Sequence, residues 1–146
     1  VQDSRVVKKI TLKKMSQSIG TDITYKASVD LDNNQFYIVV MSGSGTPGGV
    51  ELPAAVEDGA AQTDVLLGIL QNKPKMNEAA VVRVGGTSKL VASPMAIDAL
   101  ITSGSPAGIG MTAATDKDFV IGTVLETAST AGDIVEVLIS RFKASI

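Results

Sequence analysis

Apolar and polar positions along this chain alternate in short runs, broken by glycine, proline and asparagine. Alternation with a period of two puts successive side chains on opposite faces of a strand, so these runs predict β structure. Ile23 to Leu31 and Gln35 to Met41 are two such runs on either side of Asp32-Asn33-Asn34. They predict a hairpin, because Asp and Asn tolerate the left-handed backbone of tight turns. Ser16 to Thr21 carries a loop signal, and so does Ser42 to Gly49; Val50 to Leu52 predicts a short strand ahead of Pro53. Further strands are predicted at Val65–Gln71, Ala79–Val84, Ser88–Ala92, Ile109–Thr115, Phe119–Thr127 and Ile134–Arg141, with Gly85-Gly86 as a tight turn. One helix signal exists. Ser93 can cap, Pro94 suits a first helical position and Gly104 lies just beyond the end. A short helix over Pro94 to Ile101 competes there with a bent strand through Ala99 to Thr102.

Two stretches share a plan. DVLLGILQNKPKMNEAAVVRV, from Asp64 to Val84, lies without a gap over DFVIGTVLETASTAGDIVEVL, from Asp118 to Leu138, at an offset of 54. Each has Asp, three apolar residues, Gly, a polar loop and an alternating return run. Asp64 falls on Asp118, Gly68 on Gly122 and Val81 on Val135. The overlay predicts two similar hairpins with glycine at equivalent places, each marking a bulge or a close approach of backbone. The predicted fold class is therefore all-β: a small barrel or sandwich built from two similar hairpins, with at most one short helix.

Composition changes this picture at one end. Residues 1–26 hold Arg5, Lys8, Lys9, Lys13, Lys14 and Lys26 against Asp3 and Asp22, a balance of +4. The whole chain carries −2, so the remainder carries −6. A basic arm, residues 1–22, thus precedes a single acidic β-rich domain, residues 23–146. Within the arm Val6, Val7, Ile10, Leu12 and Met15 are interleaved with the lysines, and Ile10 to Lys13 suits a short edge strand. The candidate contact residues are Arg5, Val6, Val7, Lys8, Lys9, Ile10, Leu12, Lys13 and Lys14. The arm lacks aromatic residues for stacking on bases and the body is acidic, so an acidic protein surface fits it better than nucleic acid.

Candidate chemistry is sparse. With 0 His and 0 Cys, the chain has neither the commonest general base nor a thiolate, and no disulfide. Ser–His and Cys–His sites are excluded within one chain. Gly43-Ser44-Gly45-Thr46-Pro47-Gly48 spells a glycine-rich phosphate loop, but Pro47, Gly49 and Pro53 follow where such a loop must open a helix. Asp30-Leu31-Asp32-Asn33-Asn34 starts like a calcium loop. Gln35 then stands where glycine is needed and Met41 where glutamate is. The carboxylates fall in turns and at strand ends, where solvated charges are expected. No cofactor, metal or catalytic residue is expected, and no apolar run of about 18 residues suggests a membrane span. A competing reading is a β-domain that binds a small ligand or glycan. That reading needs a pocket lined by several of Tyr25, Phe36, Tyr37, Phe119 and Phe142.

At the repeats the chain resembles a known family. Gly68-Ile-Leu-Gln-Asn-Lys-Pro74, Asn77-Glu78-Ala79-Ala80, Gly122-Thr-Val-Leu-Glu126 and Ala131-Gly132-Asp133 are similar to recurring phrases of tailed-bacteriophage capsid cement, or decoration, proteins. Asn77 stands where that family usually has glycine, a change a turn tolerates. The similarity covers Val50 to Ile139. It implies a non-enzymatic virion protein, made in the host bacterial cytoplasm, that binds the outer surface of an icosahedral capsid and stabilises it. The implied partners are the major capsid protein and further copies of itself in a homotrimer, with no membrane and no direct nucleic-acid role.

Overall fold

Nine strands and no helix form among the residues that the computed structural model describes, 18–43, 47–57, 60–116 and 118–144. They are β1 (Gly20–Ala27), β2 (Ile38–Met41), β3 (Gly49–Glu51), β4 (Leu66–Leu70), β5 (Ala79–Ala92), β6 (Leu100–Ser103), β7 (Gly110–Thr112), β8 (Phe119–Val124) and β9 (Asp133–Lys143). The all-β class follows from the alternating runs. Gly20 to Asp22, read as arm and loop from the sequence, belong to β1.

The pairing closes two rings. One runs β1-β3-β2-β4-β5 and returns to β1; the other runs β5-β7-β6-β8-β9 and returns to β5. Each is a closed five-stranded ring, and closure removes the free strand edges that an open sheet must protect. β5 serves both because it is long: residues 79–86 pair with β1 and residues 86–92 pair with β9. Gly86 is the changeover. Its φ is +85°, and a Cβ there would press on the backbone of Ile19 and of Gly20, where β1 begins. The predicted tight turn at Gly85-Gly86 is thus a continuous strand, and Gly86 with Gly20 opposite lets two backbones cross closely.

Val39, Val50, Leu70, Ala80 and Val82 fill the first ring. The larger cluster joins Ile38, Leu66 and Ile69 of the first ring to Leu90, Ile101, Ile121, Val135 and Val137 of the second. Inward positions follow the two-residue period. Val135, Val137 and Ile139 are buried while Ile134 and Leu138 face outward.

The two hairpins are equivalent, with one correction. Backbone N–H of Gln71 donates to Val81 O, and that of Leu125 to Glu136 O. The Asn72 side chain accepts from Val81 N at 3.0 Å, and the Glu126 side chain accepts from Glu136 N at 2.7 Å. A Cβ on Gly68 would overlap the Arg83 carbonyl oxygen, and one on Gly122 the Leu138 carbonyl oxygen. The outgoing strands therefore match at an offset of 54 and the return strands at 55. One extra residue in the second loop makes the difference. Val81 corresponds to Glu136 rather than Val135, which keeps Val82 and Val137 both inward; a one-residue slip would turn them out.

Two other expectations are corrected. β1 and β2 do not form a hairpin: β1 pairs with β3 and β5, and β2 with β3 and β4. The connection between them is held from outside. Leu31 N donates to Pro74 O, Phe36 N to Leu70 O, and Val91 N to Phe36 O, with Phe36 at φ 66°. Those long-range bonds outweigh the local turn signal of Asp32-Asn33-Asn34. At Pro94–Ile101 no helix forms. Met95 exchanges both backbone bonds with Ala128, and Asp98 sits at φ 70°, so the helix loses both its ladder and its backbone conformation. The rival reading, a strand near Ala99 to Thr102, is β6. Asn77, at φ 71°, occupies a left-handed turn position, a conformation that asparagine tolerates.

Candidate interaction surface

The repeated aspartates are structural. Asp64 Oδ2 accepts from Ala54 N at 2.8 Å. Asp118, buried, accepts from Gln62 N at 2.7 Å and Thr115 N at 3.0 Å. Gln62, also buried, donates from Nε2 to Ser103 O and Ala54 O and accepts from Asp64 N. These groups tie the irregular segment before β4 to β6 and β8. Among the described residues no group of three or more acids could hold a metal ion.

The candidate arm residues Arg5, Val6, Val7, Lys8, Lys9, Ile10, Leu12, Lys13 and Lys14 lie outside the described residues. The place where the arm joins the body is described. Thr87 N donates to Ile19 O at 2.8 Å, and Ile19 N donates to Thr87 Oγ1 at 2.9 Å, so the chain enters along the edge of β5. Ser18 Oγ donates to both oxygens of Glu136, at 2.7 and 2.9 Å. Nearby on the same side, Arg83 pairs with Asp22 through two hydrogen bonds of 2.7 and 3.1 Å. That guanidinium holds the Asp22 carboxyl below its usual range against the opposing effect of burial. The Asp22 hydrogen bond raises Arg83 in turn.

Glu136 is flanked along the outer face of β9 by Ile134, 54% exposed, and Leu138, 44% exposed. The signal for this surface was present in the sequence as the imperfect alternation of the last strand, where two apolar residues fall on the polar phase. Beyond Ile134 an open concavity of about 480 Å³ is lined by Phe36, Tyr37, Val91 and Ile134, with Asp32 and Lys73 as its charges. Lys89 Nζ stands 5.8 Å from the centre of the Phe36 ring. A smaller groove of about 280 Å³ is lined by Val40, Met41, Val65 and Leu67 between Glu51 and Arg141.

Fold and surface define a class: a small all-β protein of closed five-stranded rings. Among solved structures, this fold is similar to the head fiber gp8.5 N base in bacteriophage phi29. The TM-score is 0.59 and the identity 17%, over 86% of this chain and 98% of that one, a likeness of fold. No family model and no curated protein matches the chain.

Proposed function

We propose that this chain is a structural protein of a phage virion that attaches to the outside of an icosahedral head and stabilises it, without catalysis. The observation that carries the reading is a convergence. The phrases around Gly68 and Gly122 resemble capsid cement proteins, and the backbone independently resembles the base of a phage head fiber. In this reading the basic arm meets an acidic shell surface, and Arg5, Lys8 and Lys9 gain partners there. Exposed ion pairs contribute about 0.2–1 kcal/mol each, so one arm is weak. Several arms on one oligomer, a homotrimer in this proposal, act together through effective concentration.

Deleting residues 1–17 tests this without disturbing Ser18, Ile19 or β1. Cosedimentation with bare shells across a salt series is the measurement. The truncated protein is expected to bind more weakly and with a shallower salt dependence, since the screening length falls from about 8 Å to 3 Å between 0.15 and 1 M salt. Equal binding at every salt concentration would reject the arm as the clasp. Light scattering at micromolar concentration reads the oligomer, and a monomer that still binds shells rejects the trimer.

A second reading has one observation behind it: Phe36 and Tyr37 both line the concavity beside Ile134, as a glycan or small-ligand site requires. Both residues also have packing roles. Phe36 lies against the main core, and the Tyr37 ring lies where a side chain on Gly108 would be. Saturation-transfer NMR with a panel of soluble glycans separates the readings.

A further inference from the structure

Phe36 and Tyr37 lie outside any strand, yet their backbone is gripped by both rings. Phe36 N donates to Leu70 O at 2.7 Å, and Phe36 O accepts from Val91 N at 2.9 Å. Leu70 N donates to Tyr37 O at 2.9 Å. These bonds hold Phe36 at φ 66°, a left-handed conformation that a bulky residue seldom adopts. Both aromatic side chains are half-buried, and both line the concavity with Val91 and Ile134. Leu31 N donates to Pro74 O at 2.9 Å, which brings the Asp32 turn against the Lys73 loop, and both of those charges line the concavity too. The charges around it differ in what already occupies them. Asp133 is turned into its own loop, where it accepts from Ser129 N and Thr130 N at 3.0 and 2.9 Å. Glu136 stands opposite Lys89 in the β5–β9 ladder, and both its oxygens accept from Ser18 Oγ. Among the described residues Lys73, Lys89 and Asp32 make no ion pair. Lys89 projects from the same face of β5 as Val91, and its Nζ lies 5.8 Å from the centre of the Phe36 ring. Two uncommitted ammonium groups and one carboxylate thus border an aromatic floor.

We propose that this concavity binds a saccharide that carries an anionic group, either a carboxylate or a phosphate ester. The apolar face of a sugar ring packs on Phe36 and Tyr37, whose electron-rich ring faces attract its C–H groups. Asp32 accepts from the sugar hydroxyls. Lys73 and Lys89 donate charge-assisted hydrogen bonds to the anionic group, and the position of Lys89 over Phe36 puts its ammonium beside a ring seated there. The aromatic pair is already fixed by backbone bonds, so little order is left to impose on binding. The inference rests on the second reading above, that the concavity is a ligand site, and adds the charge of the ligand. It neither needs nor excludes a shell.

The test titrates the full-length protein with methyl β-D-glucuronide and with glucose 6-phosphate, each beside neutral methyl β-D-glucoside, and follows the methyl signals of Val91 and Ile134 by NMR. At least one charged probe is expected to shift those signals and to bind about fivefold more tightly than the glucoside, the scale of one or two exposed ion pairs. Which of the two does so tells carboxylate from phosphate. Raising the salt from about 0.15 to about 1 M is expected to shrink the difference, as screening shortens. Lys73 and Lys89 are both exposed, so the Lys73→Gln/Lys89→Gln protein is expected to keep the parental melting temperature and to bind charged and neutral probes alike. Equal affinity of the parent for charged and neutral probes would overturn the proposal and leave a sugar site standing. No shift at Val91 and Ile134 with any probe would overturn both the proposal and the ligand-site reading. A charge preference that survives the double substitution would also overturn it, since the anionic group would then be held elsewhere.

Discussion

Gly68 and Gly122 face backbone, and this sets them apart from glycines that face open space. At both, a methyl group would collide with a carbonyl oxygen of the return strand, which belongs to a ladder and cannot swing aside. Gly68→Ala and Gly122→Ala are each expected to lower stability by about 1–3 kcal/mol in urea denaturation. Gly85→Ala meets nothing within 4 Å and is expected to stay within about 0.5 kcal/mol of the parent. Asp22 provides a second test at this scale. Its carboxyl is lowered in the folded state, chiefly by the Arg83 hydrogen bond. The contribution is therefore present above the unfolded-chain value of about 3.9 and is lost as pH falls through the lower folded value. The Asp22 side chain is 36% exposed, so solvent screens the pair and the effect is small. Asp22→Asn is expected to flatten that acid step in a series of thermal melts, while the plateau near neutrality shifts little.

Elements here are held by side chains that substitute for missing strand partners. The segment before β4 has no ladder of its own, and Gln62 with Asp118 supplies one. Asp118→Ala strands the buried Gln62 N–H, an expected loss of about 1–3 kcal/mol, and removes the acceptor of the part-buried Thr115 N–H, which water can replace at smaller cost. Hydrogen exchange at those two amides should rise as the melting temperature falls. Exchange rates that stay at parental values would show another acceptor in place. At this scale the sequence was legible wherever a signal was local and repeated. Alternation located every strand but β6, where a helix signal competed with the strand that forms, and the doubled Asp-to-Gly plan located two equivalent hairpins. It failed where partners are remote. Asp32-Asn33-Asn34 has the chemistry of a turn, but the groups that direct the chain there are Leu70, Pro74 and Val91, which no local pattern exposes. Gly85-Gly86 reads equally as a turn or a close crossing, and only the presence of β1 decides between them. The extra residue in the second loop escaped a gapless overlay because loop residues carry no periodicity. Of the candidate site, the basic charge of residues 1–26 is read from the sequence, and the candidate arm residues themselves lie outside the described ones. The anchor at Glu136 was not legible, since a serine hydroxyl on a distant carboxylate leaves no spacing to detect.

Across the whole molecule, the shared strand makes two rings one cooperative unit. The main core crosses from Ile38 and Leu66 in the first ring to Leu90 and Ile121 in the second. The two Tyr residues, Tyr25 and Tyr37, lie on the first-ring side, and there is no Trp. Leu90→Ala, in the second-ring half of β5, is expected to cost about 2–5 kcal/mol. In a Tyr37→Phe background the loss should appear equally in the fluorescence of Tyr25, which packs against the first-ring cluster, and in far-ultraviolet circular dichroism, which reports both rings. A tyrosine transition that keeps its parental midpoint would mean that the rings melt separately. The changeover at Gly86 has a further consequence in time. Every strand of the first ring lies between Gly20 and the changeover, and the strands that complete the second ring all come later in the chain. During synthesis the first ring can close while β9 is still unmade, and the Leu90 half of β5 must wait with its partner edge bare. Pairings this distant in sequence form slowly, on the order of milliseconds to seconds. The interval between the birth of β5 and the arrival of β9 is thus when the nascent chain is most open to wrong partners, and a chaperone that covers one apolar strand would be most useful then.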